Sequence, residues 1–313
     1  MEPSPTIKTR LLIISDTHGL TFPPHIPLPP VDVAIHCGDL TEHSKLAEFE
    51  TTIKLLEDIP AKLKLVIAGN HDFSLDDGVM EQKIAEARAI ATEHIDDDLL
   101  VKEFGEKGAA LDLLQAAKDK NIVFLQEGCY EFVLDNGAAM KVYASPLTPN
   151  HGGDWGFQYH DGHDFTIENG TDIVITHGPP QGMMDMTAEK TRVGCPLLFA
   201  AVARAQPTVH CFGHVHGGWG AKFVKWKTPL KENPSHFTDI ENGESCVVSS
   251  LAKMTAGGGP EGGGGCYKET SHCTGDEFPL RTGTTLFVNA ACKGEERLSQ
   301  MPWVVDLELQ ANN

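Results

Sequence analysis

The chain has 313 residues, of which 41% are hydrophobic and 22% are charged, the composition of an ordinary soluble globular protein. Acidic residues outnumber basic ones by 44 to 25, and the net charge of −19 argues against nucleic acid or an anionic membrane surface as a partner. No apolar stretch reaches the roughly 20 residues of a membrane span or has the form of a signal peptide, so the sequence predicts a cytoplasmic protein.

Short apolar segments alternate with helix-like patterns through the first two thirds of the chain. The apolar segments predict strands at 11–14, 33–35, 65–68, 122–125, 172–176 and 208–212. The segments between them predict helices at 44–58, 79–94, 111–119 and 196–205. Because each strand is nearly all apolar and follows or precedes a helix, the pattern predicts an α/β fold with largely parallel pairing.

Further strands are predicted by a turn signal and by two late apolar runs. Segments 130–134 and 140–143 flank Asp-Asn-Gly, which indicates a hairpin. Segments 286–289 and 303–307 have the composition of closing strands.

Three segments interrupt the alternation. Residues 21–30 are proline-rich and predict a stiff loop, and residues 151–164 form a loop dense in Gly, His, Asp and aromatic side chains. Residues 225–279 are polar and glycine-rich, with 257–265 nearly all glycine, and predict a flexible insertion. Since no repeat or linker divides the chain, we predict one domain spanning 1–313.

Polar side chains follow the predicted strands where each strand ends. They are, in chain order, Asp16, His18, Asp39, Asn70, His71, Asp72, His177, His214 and His216. In open α/β sheets, ligands bind beyond the carboxyl ends of the strands, so these loops are expected to converge. Carboxylate, amide and imidazole groups are metal ligands, and the adjacent glycines permit close backbone approach.

This ordered set resembles the calcineurin-like metallophosphoesterase signature D-x-H, G-D, G-N-H-[D/E], H and G-H-x-H, across about two thirds of the chain. Three longer segments are similar to the subgroup of metallophosphoesterase domain-containing proteins: ISDTHG, TDIVITHGPP and FGHVHGGWG. The region 225–279 departs from that subgroup. The resemblance implies a sandwich of two mixed β-sheets flanked by helices (αββα).

The resemblance also implies which residues hold metal ions. One divalent ion is assigned to Asp16, His18 and His216, a second ion to Asn70, His177 and His214, and the bridging position to Asp39. The mixed oxygen and nitrogen ligands suit Mn, Fe, Zn or Ni, with Mn favoured. A metal-bound hydroxide would attack the phosphorus, since two such ions lower the pKa of a bound water towards 7.

Catalytic roles follow from the same resemblance. His71 is predicted to protonate the leaving-group oxygen, and Asp72 to accept the other ring N–H of His71. The alternative for Asp72 is a helix cap or a turn residue. Substrate contacts are predicted at Trp155, His151 and Arg192, against the alternative that these are ordinary surface residues.

The implied function is hydrolysis of a small-molecule phosphate mono- or diester, with nucleotides and cyclic nucleotides among the candidates. Protein phosphatase and nuclease activities are less favoured, the second because of the acidic charge. The competing hypotheses are a non-catalytic metal-binding scaffold and a metallohydrolase fold that performs non-phosphate chemistry. The sequence indicates no oligomeric state.

Overall fold

The computed structural model describes residues 5–23, 27–91, 95–256 and 266–312, so the glycine run at 257–265 lies outside the described residues. The strands are β1 Thr6–Ile14, β2 Val31–His36, β3 Ala61–Val66, β4 Ile122–Phe124, β5 Gly128–Val133, β6 Ala139–Ser145, β7 Thr148–Pro149, β8 Gln158–Tyr159, β9 Ile173–Thr176, β10 Val209–Phe212, β11 Gly220–Lys225, β12 Cys246–Ser250, β13 Lys268–Ser271, β14 Thr284–Asn289 and β15 Trp303–Gln310. The helices are α1 Leu46–Asp58, α2 Asp77–Ile90, α3 Asp97–Phe104, α4 Ala109–Ala116, α5 Pro196–Ala205 and α6 Leu251–Ala256.

Two large sheets carry the fold. Their strand orders are β13-β15-β1-β2-β3-β4 and β12-β11-β14-β10-β9-β6-β5. The pairs β1·β2, β2·β3, β9·β10 and β10·β14 are parallel, as the alternation of strands and helices predicts. The predicted hairpin pairs β5 with β6 antiparallel, and β1·β15 and β11·β14 are also antiparallel, so both sheets are mixed.

Alternating side chains of each strand build the layers. Leu11 of β1 lies in a buried cluster that contains residues of both sheets, whereas the next residue, Leu12, packs with Phe49 of α1. On the far side of the second sheet, Val174 of β9 packs with Phe199 of α5. The order helix, sheet, sheet, helix confirms the predicted α/β sandwich. No helix in the four described ranges is long and apolar enough to cross a membrane.

The region 225–279, predicted to be a flexible insertion, contains two paired strands in the parts that the structure describes. It supplies β12, which pairs antiparallel with β11 at the edge of the second sheet, and β13, which pairs parallel with β15 at the edge of the first. A sheet edge offers unpaired N–H and C=O groups, which a segment of modest apolar content can bind. The region therefore extends both sheets.

Candidate metal centre

Five loops leave the carboxyl ends of strands and bring polar side chains to one place. Their leading residues are Asp16 after β1, Asp39 after β2, Asn70 after β3, His177 after β9 and His214 after β10. All are buried except His214, which is half-buried. The parallel strands of both sheets end here, which is why residues far apart in sequence become neighbours.

Asp16, His18 and His216 form the first group. Their ligand atoms all lie within 4.8 Å of one another. His216 Nε2 is 3.2 Å from Asp16 Oδ1 and 3.3 Å from His18 Nε2. Two ring nitrogens and a carboxylate oxygen thus face a common point, which is the donor arrangement that a divalent transition metal requires.

Asn70, His177 and His214 form the second group. The side-chain oxygen of Asn70 lies 2.9 Å from His177 Nε2 and 2.8 Å from His214 Nδ1. The other ring nitrogen of His177 is 2.9 Å from the carbonyl oxygen of Cys37, so that N–H is donated to the backbone and Nε2 is left for the centre. Such a hydrogen bond fixes which ring nitrogen is available for a metal.

Asp39 lies between the two groups. Its Oδ2 is 3.6 Å from His18 Nε2, and its Oδ1 is 3.4 Å from His177 Nε2. Each carboxylate oxygen therefore faces a different group. All seven predicted ligands come together, with Asp39 next to both His18 and His177.

The charge state of the carboxylates fits a pair of cations. Burial acts to raise the pKa of Asp39, but the neighbouring His177 and His18 outweigh it and hold that pKa well below its ordinary value. The same opposition, with His216 as the main favourable partner, leaves the pKa of Asp16 below its ordinary value. The two buried carboxylates supply negative charge. The four imidazoles and the one amide beside them supply further donors that divalent metals bind.

Backbone geometry at the centre is tight. Asp16, His18, Asp39 and His214 have positive φ angles of 53°, 48°, 53° and 66°, in the left-handed region that Asp, Asn and His tolerate better than most residues. A Cβ atom at Gly69 would lie 2.3 Å from Asp39 Oδ1, and one at Gly213 would lie 2.0 Å from Asp16 Oδ2. Only glycine fits beside these carboxylates, as the sequence predicts for a crowded site.

His71 lies against the centre from the side. Its Nδ1 is 2.8 Å from the carbonyl oxygen of Glu42, so Nε2 remains for other contacts. One ring nitrogen lies within 4.8 Å of ligand atoms of His18 and Asp39. The ring packs edge-on to His18 at 4.7 Å between centroids and is covered by Trp155 at 4.3 Å. The imidazole is therefore held on three sides.

The predicted contact between Asp72 and the ring of His71 is wrong. The buried Asp72 carboxylate instead accepts hydrogen bonds from the backbone N–H groups of Leu40, Thr41 and Gly69 and from the Thr41 hydroxyl, at 2.8–3.1 Å. Nδ1 of His71 instead contacts the carbonyl oxygen of Glu42, so the two side chains have different partners. Asp72 ties the loop after β2 to the loop after β3.

Replacing Asp72 with asparagine is expected to lower the free energy of unfolding by about 3 kcal/mol, because an NH₂ group would face the buried N–H donors that the carboxyl oxygens now accept from. Urea unfolding of the metal-free chain measures this change in the free energy of unfolding. The exposed Asp119→Asn is the matched control, expected within about 0.5 kcal/mol of wild type. A loss below about 1 kcal/mol for Asp72→Asn would contradict this role.

The three predicted substrate contacts have different surroundings. Trp155 covers His71 and so borders the centre. The exposed His151 places Nε2 2.9 Å from the carbonyl oxygen of Val193, and Arg192 pairs with the buried Asp185 at 2.5 Å. His151 and Arg192 therefore have protein partners, while Trp155 packs on the ring of His71. Sequence reasoning missed Glu42, although it follows Asp39 by three residues.

Two buried histidines contact threonine hydroxyls that are next to candidate metal ligands in sequence. His36 Nε2 is 2.9 Å from the hydroxyl of Thr17, which separates Asp16 from His18. His210 Nε2 is 2.8 Å from the hydroxyl of Thr176, which itself donates to the carbonyl of Gly178. Burial lowers the pKa of each histidine to about 3, so both imidazoles are neutral near pH 7.

Replacing His210 with glutamine is expected to reduce the acid sensitivity of the fold. Because the folded-state pKa is below the ordinary value of 6.5, unfolding takes up a proton and stability falls as pH drops from 6.5 towards 3. Between pH 6.5 and 5.5 the wild type should lose about 1 kcal/mol more than the variant. Urea unfolding in the presence of a chelator measures this, with the exposed His43→Gln as control. Identical pH dependence in wild type and His210→Gln would refute it.

The family model for calcineurin-like phosphoesterase matches residues 9–218. Human and mouse metallophosphoesterase domain-containing protein 1 are each 34% identical over 228 residues, which cover 70% of this chain and 64% of the relative. The chain therefore spans less than two thirds of these relatives.

A probable rhamnogalacturonate lyase C of Emericella nidulans is 34% identical over 222 residues, which cover 69% of this chain and 18% of that protein. Among solved structures, a purple acid phosphatase from yellow lupin (Lupinus luteus) matches with a TM-score of 0.38 and 10% identity, over 94% of this chain and 46% of that one. The family model covers most of the chain and includes every predicted metal ligand. The chain belongs to the calcineurin-like phosphoesterase family.

Proposed function

We propose that this chain is a dinuclear metal-dependent phosphoesterase that hydrolyses a small-molecule phosphate mono- or diester. The observation that carries the proposal is the position of Asp39, whose two carboxylate oxygens face two separate groups of ligand atoms. A carboxylate shared in this way suits two cations about 3.5–4 Å apart, the spacing of two-metal hydrolases.

Two divalent cations held there would supply a water of lowered pKa and neutralise charge on the phosphoryl oxygens. The chain itself supplies orientation and a proton. His71 is held through Nδ1 by the Glu42 carbonyl and covered by Trp155, which leaves Nε2 to donate a proton to the leaving oxygen. With a net charge of −19, the chain depends on this local cationic site to attract an anionic substrate.

The test is a substrate panel on chain reconstituted separately with Mn, Fe, Zn and Ni. The panel contains para-nitrophenyl phosphate, bis-para-nitrophenyl phosphate, nucleoside monophosphates, and 2′,3′- and 3′,5′-cyclic nucleotides. We expect two ions per chain, with Mn giving high turnover, and hydrolysis of at least one ester class. Two bound ions without hydrolysis of any ester would favour a scaffold or non-phosphate chemistry, and fewer than two ions would refute the dinuclear site.

A further inference from the structure

The carboxylate of Glu42 lies beside the imidazole of His18, one of the candidate metal ligands. Glu42 Oε2 is 3.1 Å from Nδ1 of the buried His18, while Nε2 of the same ring faces Asp39 and His216. Within the described residues, His18 Nδ1 has no aligned hydrogen-bond partner, although Glu42 Oε2 is near enough to accept its proton. The two nitrogens of His18 therefore face different environments, one the centre and the other Glu42.

A lysine from the far end of the sequence holds that carboxylate. Lys293 Nζ forms an ion pair with the same Oε2 of Glu42, across 251 positions of sequence. Lys293 follows β14, where the N–H of Cys292 donates to the carbonyl of Ser15 at 2.8 Å and Lys293 forms a bridge with Leu298. These backbone contacts hold residue 293 beside the loop that follows β1, and the Lys293 side chain is only 17% exposed.

Glu42 contacts two histidines of the centre through different atoms. Its side chain lies behind His18, and its backbone carbonyl accepts the Nδ1–H of His71 at 2.8 Å. A substitution of the side chain leaves the carbonyl in place. The two contacts can therefore be separated by experiment.

We propose that Glu42 and Lys293 are positioning residues for the cation held by Asp16, His18 and His216, a role that rests on the proposed function. When a cation holds Nε2 of His18, Glu42 would accept the Nδ1–H, which would fix the ring and make Nε2 a better donor. Lys293 holds Glu42 in place and offsets the negative charge that a third carboxylate adds beside Asp16 and Asp39. The competing explanation is a rim salt bridge, which would contribute at most about 1 kcal/mol to stability and nothing to metal binding.

The experiment is calorimetric titration of the metal-free chain with Mn²⁺, without substrate. We expect Glu42→Gln to weaken one of the two Mn²⁺ sites by about 10–100-fold and to leave the other within about twofold. Lys293→Met should weaken the same site by a smaller factor. Because lysine acts through glutamate, the double variant should match Glu42→Gln alone. Lys54→Met, which breaks the exposed pair with Asp58 on α1, is the matched control and should bind Mn²⁺ like wild type.

Three results would overturn the inference: unchanged Mn²⁺ affinities in Glu42→Gln, additive effects in the double variant, or equal weakening of both sites. Thermal unfolding of each metal-free variant checks that the fold is intact, and Glu42→Asp, which keeps the charge and shortens the reach, replaces Glu42→Gln if that variant does not fold. A wild-type chain that binds none of Mn²⁺, Fe²⁺, Zn²⁺ and Ni²⁺ would refute the proposed function as well. A wild type with two sites and ester hydrolysis, beside variants of equal affinity, would refute only the role of this pair.

Discussion

Replacement of Asp39 with asparagine is expected to prevent binding of two metal ions and to lower turnover on the order of a thousandfold or more. Asparagine has nearly the same shape but keeps only one acceptor oxygen and loses the negative charge. One of the two ligand groups would then face an NH₂ group. That group would replace either the oxygen that now lies 3.6 Å from His18 Nε2 or the oxygen that lies 3.4 Å from His177 Nε2.

Metal analysis after dialysis and the kcat for para-nitrophenyl phosphate measure the two effects. Asp119→Asn, an exposed carboxylate outside the centre, should retain wild-type metal content and rate. If Asp39→Asn retained two tightly bound ions and a rate within tenfold of wild type, the shared carboxylate would not be what organises this site.

Replacement of His71 with asparagine is expected to leave both metal ions bound and to lower kcat by roughly 10²–10⁴-fold. The family resemblance places His71 outside the ligand set, and the structure shows one ring nitrogen held by the Glu42 carbonyl and the ring covered by Trp155. Loss of a proton donor should matter most for esters whose leaving group is a poor anion.

A series of aryl and alkyl phosphates of graded leaving-group pKa provides the measurement. We expect the variant to have a steeper dependence of rate on leaving-group pKa than wild type has. His43→Asn, an exposed imidazole in the neighbouring loop, is the matched control. Equal losses across the series, or loss of a metal ion, would remove the proton-donor role.

The positions of the candidate ligands could be predicted because each lies beside a strong local signal. Asp16, Asp39 and His177 come shortly after apolar strand patterns, and a glycine is next to Asp39 and to His177 in sequence. Parallel strands place their ends together, so local strand prediction was enough to gather them. The division into two metal sets came from the family resemblance; the structure shows that Asp16, His18 and His216 lie together and that His177 and His214 lie together beside Asp39.

Contacts set by side-chain direction or by long sequence separation could not be predicted. Asp72 is next to His71 in sequence, yet its carboxylate points to Thr41 instead. The pair of Glu42 and Lys293 joins segments 251 positions apart, and neither residue stands in a pattern that indicates the other. Edge strands such as β13 are short and polar, and their pairing depends on a neighbouring strand rather than on composition.

The residues at positions 16, 18, 39 and 214 have left-handed backbone conformations, so two independent requirements limit which amino acids can occupy them. A residue there must donate to a cation and must also adopt a conformation that costs most amino acids about 1–2 kcal/mol. Few residue types other than aspartate, asparagine, histidine and glycine meet the second demand, and only some of these meet the first. Evolutionary drift at these four positions is therefore restricted even in a descendant that no longer needs metal, so short polar residues or glycine would persist there long after catalysis was lost.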